Sequence, residues 1–369
     1  MSTEESESLF RRELLLAKES SSSTSSGTLD RPFTCWRMSR RTVLRNLAGL
    51  AFIEGGIAAF AASCSPVGLG TTSIPDPTPT FARNAVRFAV IGDYGGCGEG
   101  SCANNGDAPE GQVAKLIKSW NPDFITTVGD NNYPLGSAST IDQNIGQFYH
   151  DFIFPYKGKY GAGATSNRFW PVYGHRDWDN DGVDIATPLS GEPYRDYFTL
   201  PGNGRYYDFT VGPVHLFMLS TDRHREPDGT SATSLQAKWL QSRLAAAKEP
   251  WKLVYAHHAP YTSAASVAGV GGSTWMRWPY AAWGATAVLQ GYYHSYERIF
   301  RDGIVYFVNG VGGGNYISGF ADPPIQGSQI RFNSDHGAML VNADSTHIRF
   351  QFITRLGIVI DSYTLPSSA

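Results

Sequence analysis

The chain has no surplus of positive charge. Its 30 Lys and Arg stand against 33 Asp and Glu, a formal net charge of -3 with a pI near 6.3, so nothing in it supplies the basic footprint that draws a protein onto nucleic acid or anionic lipid. Charged residues of both signs are scarce at 17%, while 40 Gly and 21 Pro are spread along the chain. That balance excludes a coiled coil and suits a loop-rich globular domain. Cysteine is rare too: Cys35, Cys64, Cys97 and Cys102 lack the paired spacing of a structural zinc site. Cys97 and Cys102 share one short loop, where an oxidising compartment would let them bridge and a reducing one would leave two thiols. No Gly-x-Ser-x-Gly elbow occurs, so a serine-nucleophile hydrolase has no support.

What is present divides the chain into four parts. Residues 1–37 are rich in Ser, Glu and Thr without apolar periodicity, a disordered leader or a misplaced start. Residues 38–64 hold the paired arginines Arg40 and Arg41 followed by a mostly apolar run, 47–62, interrupted by Glu54. The run falls short of the roughly 20 residues a membrane-spanning helix needs, and the segment reads as a twin-arginine-type export signal. The exit from it offers two processing routes, cleavage after Ala59-Phe60-Ala61 or lipid attachment at Cys64. Export would place the protein in the periplasm, at the cell surface or outside the cell, with membrane attachment through Cys64 on the second route. Residues 65–84 form a Thr/Pro-rich linker, and 85–369 remain for one catalytic domain.

Within that domain one pattern recurs. A short apolar run is followed by a small residue and then a metal-binding side chain: 86–91 before Gly92-Asp93, 124–128 before Gly129-Asp130, 170–173 before Gly174-His175, 253–255 before Ala256-His257, and 287–290 before Gly291-Tyr292-Tyr293-His294. Short continuous apolar runs are expected of strands buried on both faces. Ligands in open α/β sheets bind beyond the carboxyl ends of strands, so five such ends can converge on one crevice. Mixed carboxylates and imidazoles suit Fe, Mn or Zn. Val113, Leu116, Ile117 and Trp120 follow helical spacing between the first two runs, which predicts a βαβ unit. A second helix is expected over 234–246 with Leu235, Trp239, Leu240 and Leu244 as its buried stripe. The remainder reads mainly as strands, giving an α/β protein of two packed sheets with helices outside.

These blocks resemble the five motifs of purple acid phosphatases, within the calcineurin-like metallophosphoesterases. They are Gly92-Asp93-Tyr94-Gly95, Gly129-Asp130-Asn131-Asn132-Tyr133, Gly174-His175-Arg176-Asp177, Tyr255-Ala256-His257-His258 and Gly291-Tyr292-Tyr293-His294. The resemblance implies a four-layer α/β/β/α sandwich of two mixed sheets flanked by helices, with the metal site at the strand C-terminal ends. It further implies that Asp93, Asp130, Tyr133 and His294 hold a first metal, commonly Fe(III), with Asp130 bridging to a second, divalent ion (Fe, Zn or Mn) on a small phosphorylated substrate.

The second position is where the chain departs from that pattern. His175 stands where the family has Asn, Arg176 where it has His, and Tyr292 where it has the first His of Gly-His-x-His. His257 and the bridging Asp130 remain, and His175 can replace the amide ligand. A phenol at 292 is a poor ligand at neutral pH, since free Tyr titrates near pH ~10. Arg176 can stabilise phosphoryl charge but cannot protonate a leaving group. His258 is a candidate substrate-contacting residue, His224 a residue bordering the crevice, and His215 a core or edge-strand histidine. The reading is a metal-dependent phosphomonoesterase with an altered second metal position; the alternative is a non-catalytic relative that binds phosphate or metal.

Overall fold

The structure is a computed structural model that describes residues 80–96, 108–178, 192–265, 271–314 and 316–367. The leader, the export signal, Cys64 and the Cys97–Cys102 pair lie outside the described residues. Two mixed sheets carry the domain. The first holds β1 (Val86–Ile91), β2 (Phe124–Thr127), β3 (Phe169–Trp170), β11 (Gly337–Ala343), β12 (His347–Thr354) and β13 (Val359–Pro366), in the order β13-β12-β11-β1-β2-β3. The second holds β4 (Tyr207–Val211), β5 (Val214–Met218), β6 (Trp251–His258), β7 (Ala287–Gly291), β8 (Tyr296–Arg301), β9 (Ile304–Asn309) and β10 (Ser328–Phe332), in the order β10-β8-β9-β7-β6-β5-β4. The helix Pro109–Ser119 joins β1 to its parallel neighbour β2, as the spacing predicts.

Side-chain alternation builds the layers. In β1, Phe88 and Val90 enter the core between the sheets, while Ala89 and Ile91 face Val113, Ala114 and Ile117 of the helix. In the second sheet, Leu216, Met218, Leu253 and Leu289 face inward, while Phe217, Val254 and Val288 pack on Ala237, Leu240 and Leu244 of the helix Leu235–Ala246. Both faces of the central strands are therefore dry. Burying any of these Leu side chains contributes about 1.5–3 kcal/mol, so the two-sheet sandwich with outer helices is the arrangement that covers every apolar row.

One predicted stripe is shifted. Leu235 is 64% exposed and Trp239 only half-buried, whereas Gln236 is fully buried beside Ala237, Leu240 and Leu244. Gln236 takes the inward position because its amide is satisfied there: Oε1 accepts from the Ser220 N–H at 2.8 Å and Nε2 donates to the Ser220 carbonyl at 2.8 Å. The helix is capped by the Ser234 side chain, which accepts from the Ala237 N–H. Two strand boundaries also move. β3 is only two residues long, and β6 continues through Ala256 to His258, with an irregular register against β7 between Tyr255 and His258. His257 and His258 thus sit in the final turn of a strand rather than beyond it. No helix among the described residues is long and apolar enough to cross a membrane.

Candidate metal centre

Asp93 follows β1 and Asp130 follows β2, and both adopt left-handed backbone conformations, with φ of 53° and 51°. Asp tolerates this region better than most residues, and such strain persists only where the surroundings enforce it. Here the enforcement is mutual: the Asp93 N–H donates to the Gly129 carbonyl at 3.0 Å, and the Tyr94 N–H to the Asp130 carbonyl at 3.3 Å. The glycines between strand and ligand are sterically required. A Cβ on Gly174 would stand 1.9 Å from the Asp130 main-chain nitrogen, and one on Gly129, itself at φ 94°, would stand 2.6 Å from His257 Nδ1. The strand ends approach one another more closely than any larger residue allows.

Asp93, Asp130 and His294 are all buried, and each offers a ligand atom within 4.8 Å of the others. The Tyr133 hydroxyl joins them, donating to Asp130 Oδ2 at 2.8 Å and lying 3.1 Å from His294 Nε2. His294 Nδ1 is 3.0 Å from the Tyr316 carbonyl, an acceptor only, so Nδ1 carries a proton and Nε2 is the nitrogen turned to the group. Tyr316 also stacks on this imidazole at 4.0 Å. His257 is set the same way, with Nδ1 donating to the Val128 carbonyl at 2.9 Å. Its Nε2 is buried 3.1 Å from Asp130 Oδ1 yet makes no hydrogen bond.

The electrostatics favour a cation. Burial raises the Asp93 carboxyl above its usual value, against the pull of His294 and His257. For Asp130 burial is overcome by His257 and by the Arg176 N–H, which hold its carboxyl well below the usual range. Burial alone would lower His257, but Asp130 pushes it up to about 9. Burial and then the two carboxylates push the Tyr133 phenol well above 10. A field that would hold an extra proton on His257 also attracts a metal ion, and an orphaned imidazole nitrogen beside hard oxygen donors suits a transition metal. These residues fit the metal that the sequence pattern implies.

On the other side of Asp130 the arrangement differs. Arg176 contributes its main chain, its N–H donating to Asp130 Oδ1 at 2.8 Å. His175 Nδ1 is 3.0 Å from Asp222 Oδ2. Tyr292, at φ 72°, donates its N–H to the Asp93 carboxylate at 3.1 and 3.2 Å. The Tyr292 ring lies 4.7 Å from His258, 5.5 Å from His257 and 6.4 Å from His175. His258 is buried with Nδ1 3.0 Å from Thr221 Oγ1, and burial, then His257, pull it well below 6.5, so it is neutral. His224 is exposed; its N–H donates to Asp222 Oδ1 at 2.9 Å and its ring accepts from Arg223 Nε. Three imidazoles and a phenol therefore line this wall, outside the tight Asp93–Asp130–His294 group.

Several supporting residues carry no spacing signal. Asp177 is buried and accepts from the N–H groups of Asn131, Asn132 and Gly174 and from Asn131 Nδ2, at 2.6–3.0 Å, which ties the second motif to the third. It ends the quoted block Gly174-His175-Arg176-Asp177, and that adjacency is the signal that could have found it. Asp222, Thr221 and Tyr316 lie far from every motif in sequence. His215 is a core histidine of an internal strand, clamped between Asp208 Oδ2 at 2.7 Å and Glu249 Oε2 at 3.0 Å, away from the site.

No family model matches the chain. It is 26% identical over 277 residues to tartrate-resistant acid phosphatase type 5 of Mus musculus, covering 68% of this chain and 76% of that protein. To purple acid phosphatase 17 of Arabidopsis thaliana it is 24% identical over 197 residues, covering 49% and 54%. Among solved structures, a purple acid phosphatase from yellow lupin (Lupinus luteus) seeds superposes with a TM-score of 0.61 at 20% identity, over 76% of this chain. The match spans 54%, about half, of the lupin chain. The anchor protein GAP50 of the Plasmodium inner membrane complex superposes with a TM-score of 0.54 at 18% identity, over 78% of this chain and 90% of that one.

Proposed function

We propose that this chain, a calcineurin-like relative of the purple acid phosphatases, is a metal-dependent phosphomonoesterase with an altered second metal position. The observation that carries the reading is the convergence of Asp93, Asp130 and His294 within 4.8 Å, with the Tyr133 hydroxyl bonded into the same group. In this reading Asp93, Asp130, Tyr133 and His294 would hold Fe(III), and Asp130, His257 and His175 would hold a divalent Fe, Zn or Mn. Such a metal pair would supply an activated water nucleophile and neutralise phosphoryl charge.

The chain's own residues orient and exclude. Val128 and Tyr316 set the tautomers of His257 and His294, so each imidazole presents Nε2 without rearrangement. Arg176 binds the phosphoryl oxygens, bidentately where geometry allows, and spreads their charge. It holds its proton, since its pKa stays above ~12, so the leaving oxygen departs without a proton from that position. His258, neutral and buried, forms the wall beside the phosphoryl group. The substrate is a small phosphate ester, and the residues preceding the domain direct export by a twin-arginine-type signal.

Metal content per chain, measured on the purified protein together with hydrolysis of an aryl phosphate from pH 4 to 8, tests this reading. Turnover that Asp130→Asn abolishes is expected. A metal-loaded protein with no turnover, or turnover indifferent to Asp130→Asn, overturns it. One observation favours a second reading, a non-catalytic relative: Tyr292 puts a phenol packed on His258 where the family has an imidazole. Recovery of turnover in the combined variant His175→Asn, Arg176→His, Tyr292→His would identify that wall as the cause.

A further inference from the structure

The five motif-bearing strand ends are joined at the site by a sixth, which carries no metal-ligand motif. After β5 the chain runs through Leu219 and Ser220 to Thr221 and Asp222. Thr221 Oγ1 sits 3.0 Å from His258 Nδ1 and accepts the His258 N–H at 3.1 Å. The next residue, Asp222, places Oδ2 3.0 Å from His175 Nδ1. Consecutive residues of one strand end therefore hold two imidazoles of the wall.

This support is rigid and dry. The Asp222 side chain is 4% exposed. Its second oxygen accepts the His224 N–H at 2.9 Å. Its carbonyl accepts the N–H groups of Arg225 and Glu226 at 3.2 and 2.9 Å, closing a turn. Arg225 Nε lies 3.8 Å from Asp222 Oδ2, while Arg225 Nη1 donates to the His175 carbonyl at 3.2 Å, so the loop grips both the ring and the main chain of His175. Behind it, the buried Gln236 amide bonds both the N–H and the carbonyl of Ser220. A carboxylate this buried, bonded through both oxygens, is held in one place and meets little competition from water for its partner.

We propose that Asp222 is a positioning residue that holds His175 in the tautomer protonated at Nδ1, with Nε2 carrying the lone pair. This rests on the reading of His175 as a ligand of the second metal and deepens it. The chemistry explains why a partner is needed. An asparagine ligand coordinates through an oxygen whose identity is settled once the amide is oriented. An imidazole has two nitrogens, of which the neutral ring protonates one, and coordination requires the proton on the far side. A carboxylate on Nδ1 settles that choice and increases the donor strength of Nε2. The His175 ring also stands edge-on to His258 and Tyr292, at interplanar angles of 86° and 87°. Rotation about χ2 would break the Asp222 bond.

The test uses the full chain with histidine ring nitrogens labelled by 15N. His175 signals are assigned by their loss in His175→Asn, and zinc alone is the metal probe. In the metal-free wild type, His175 is expected to carry its proton on Nδ1, and in Asp222→Ala to shift to a mixture or to Nε2. The second equivalent of zinc is expected to bind about 10- to 100-fold more weakly in Asp222→Ala, with the first equivalent unchanged. Asp222→Asn, which keeps the shape, is measured the same way in case the alanine variant does not fold, and an intermediate loss is expected. An unchanged His175 tautomer, or an undiminished second equivalent, in a folded variant overturns the proposal. Wild type that takes only one equivalent refutes His175 as a metal ligand, and the tautomer measurement then decides by itself whether Asp222 positions the ring.

Discussion

The Tyr133 hydroxyl donates to Asp130 Oδ2 across 2.8 Å, three residues along the same loop. The side chain is half-buried, and desolvation of the phenol together with the carboxylates around it holds it neutral, so its ionisation requires a strongly acidic cation. Tyr133→Phe is expected to cost no more than about 1.5–3 kcal/mol of stability, the worth of one hydrogen bond to a charged group. Loaded with Fe(III), the wild type should show a visible phenolate-to-iron band that Tyr133→Phe lacks. An identical spectrum in the two proteins would remove Tyr133 from the ligand set.

Gly174 touches Asp130 so closely that a Cβ would fall 1.9 Å from its main-chain nitrogen and 2.3 Å from Oδ1. Gly174→Ala must displace the Asp130 loop, at a cost of about 2–4 kcal/mol, and should lower metal content with it. Gly319→Ala, with nothing within 4 Å of the added Cβ, serves as the control and should change stability by less than about 0.5 kcal/mol. Denaturant midpoints of the two variants check the contrast.

In its proposed role Arg176 binds phosphoryl charge and gives no proton, so aryl phosphates, whose leaving groups need none, should outpace alkyl phosphates. Arg176→Ala should lower kcat/KM on both by about 10²-fold, as loss of a transition-state charge partner does. Arg176→His should raise the alkyl rate relative to the aryl rate. Comparable wild-type rates on the two classes would contradict this assignment.

His215 offers a pH dependence separate from the site. Burial alone would lower its imidazole, but Asp208 and Glu249 overcome it and raise the imidazole above 6.5. Against burial, His215 and Arg243 hold Asp208 below its usual value, and Glu249 is lowered likewise. A raised histidine stabilises fully below its unfolded value of about 6.5 and loses that contribution as pH rises through the folded one. The lowered carboxylates contribute above about 4–4.5 and lose it as pH falls. The Tm difference between wild type and His215→Ala should therefore be greatest between about pH 4.5 and 6.5 and shrink toward pH 9. The His215 ring also stacks on Phe217 at 4.3 Å, and a difference independent of pH would show that it acts through that packing alone.

Much of the site was legible because its residues follow strands. An apolar run that ends in a glycine and an aspartate has local meaning: the run must be buried, and the glycine must turn. That pattern marked Asp93, Asp130, His175, His257 and His294 as candidate ligands; setting Asp93, Asp130 and His294 apart with Tyr133 is what the resemblance to purple acid phosphatases implies. The helix Leu235–Ala246 was legible as a helix but not in its rotation. Gln236 faces inward only because the Ser220 main chain waits there to satisfy it, and hydropathy does not register a partner.

The amino-acid sequence by itself determined the two-sheet arrangement, the βαβ unit and the strand-end placing of Asp93, Asp130 and His294, since burial and turn chemistry act between near neighbours. Tertiary structure alone decided how the second wall is held. Asp222 is 47 residues from His175 and Thr221 is 37 from His258. They meet because β5 pairs beside β6 and ends at the same crevice. No local preference in Thr221-Asp222-Arg223 encodes that meeting; it follows from the order of strands in the sheet, which long-range packing selects.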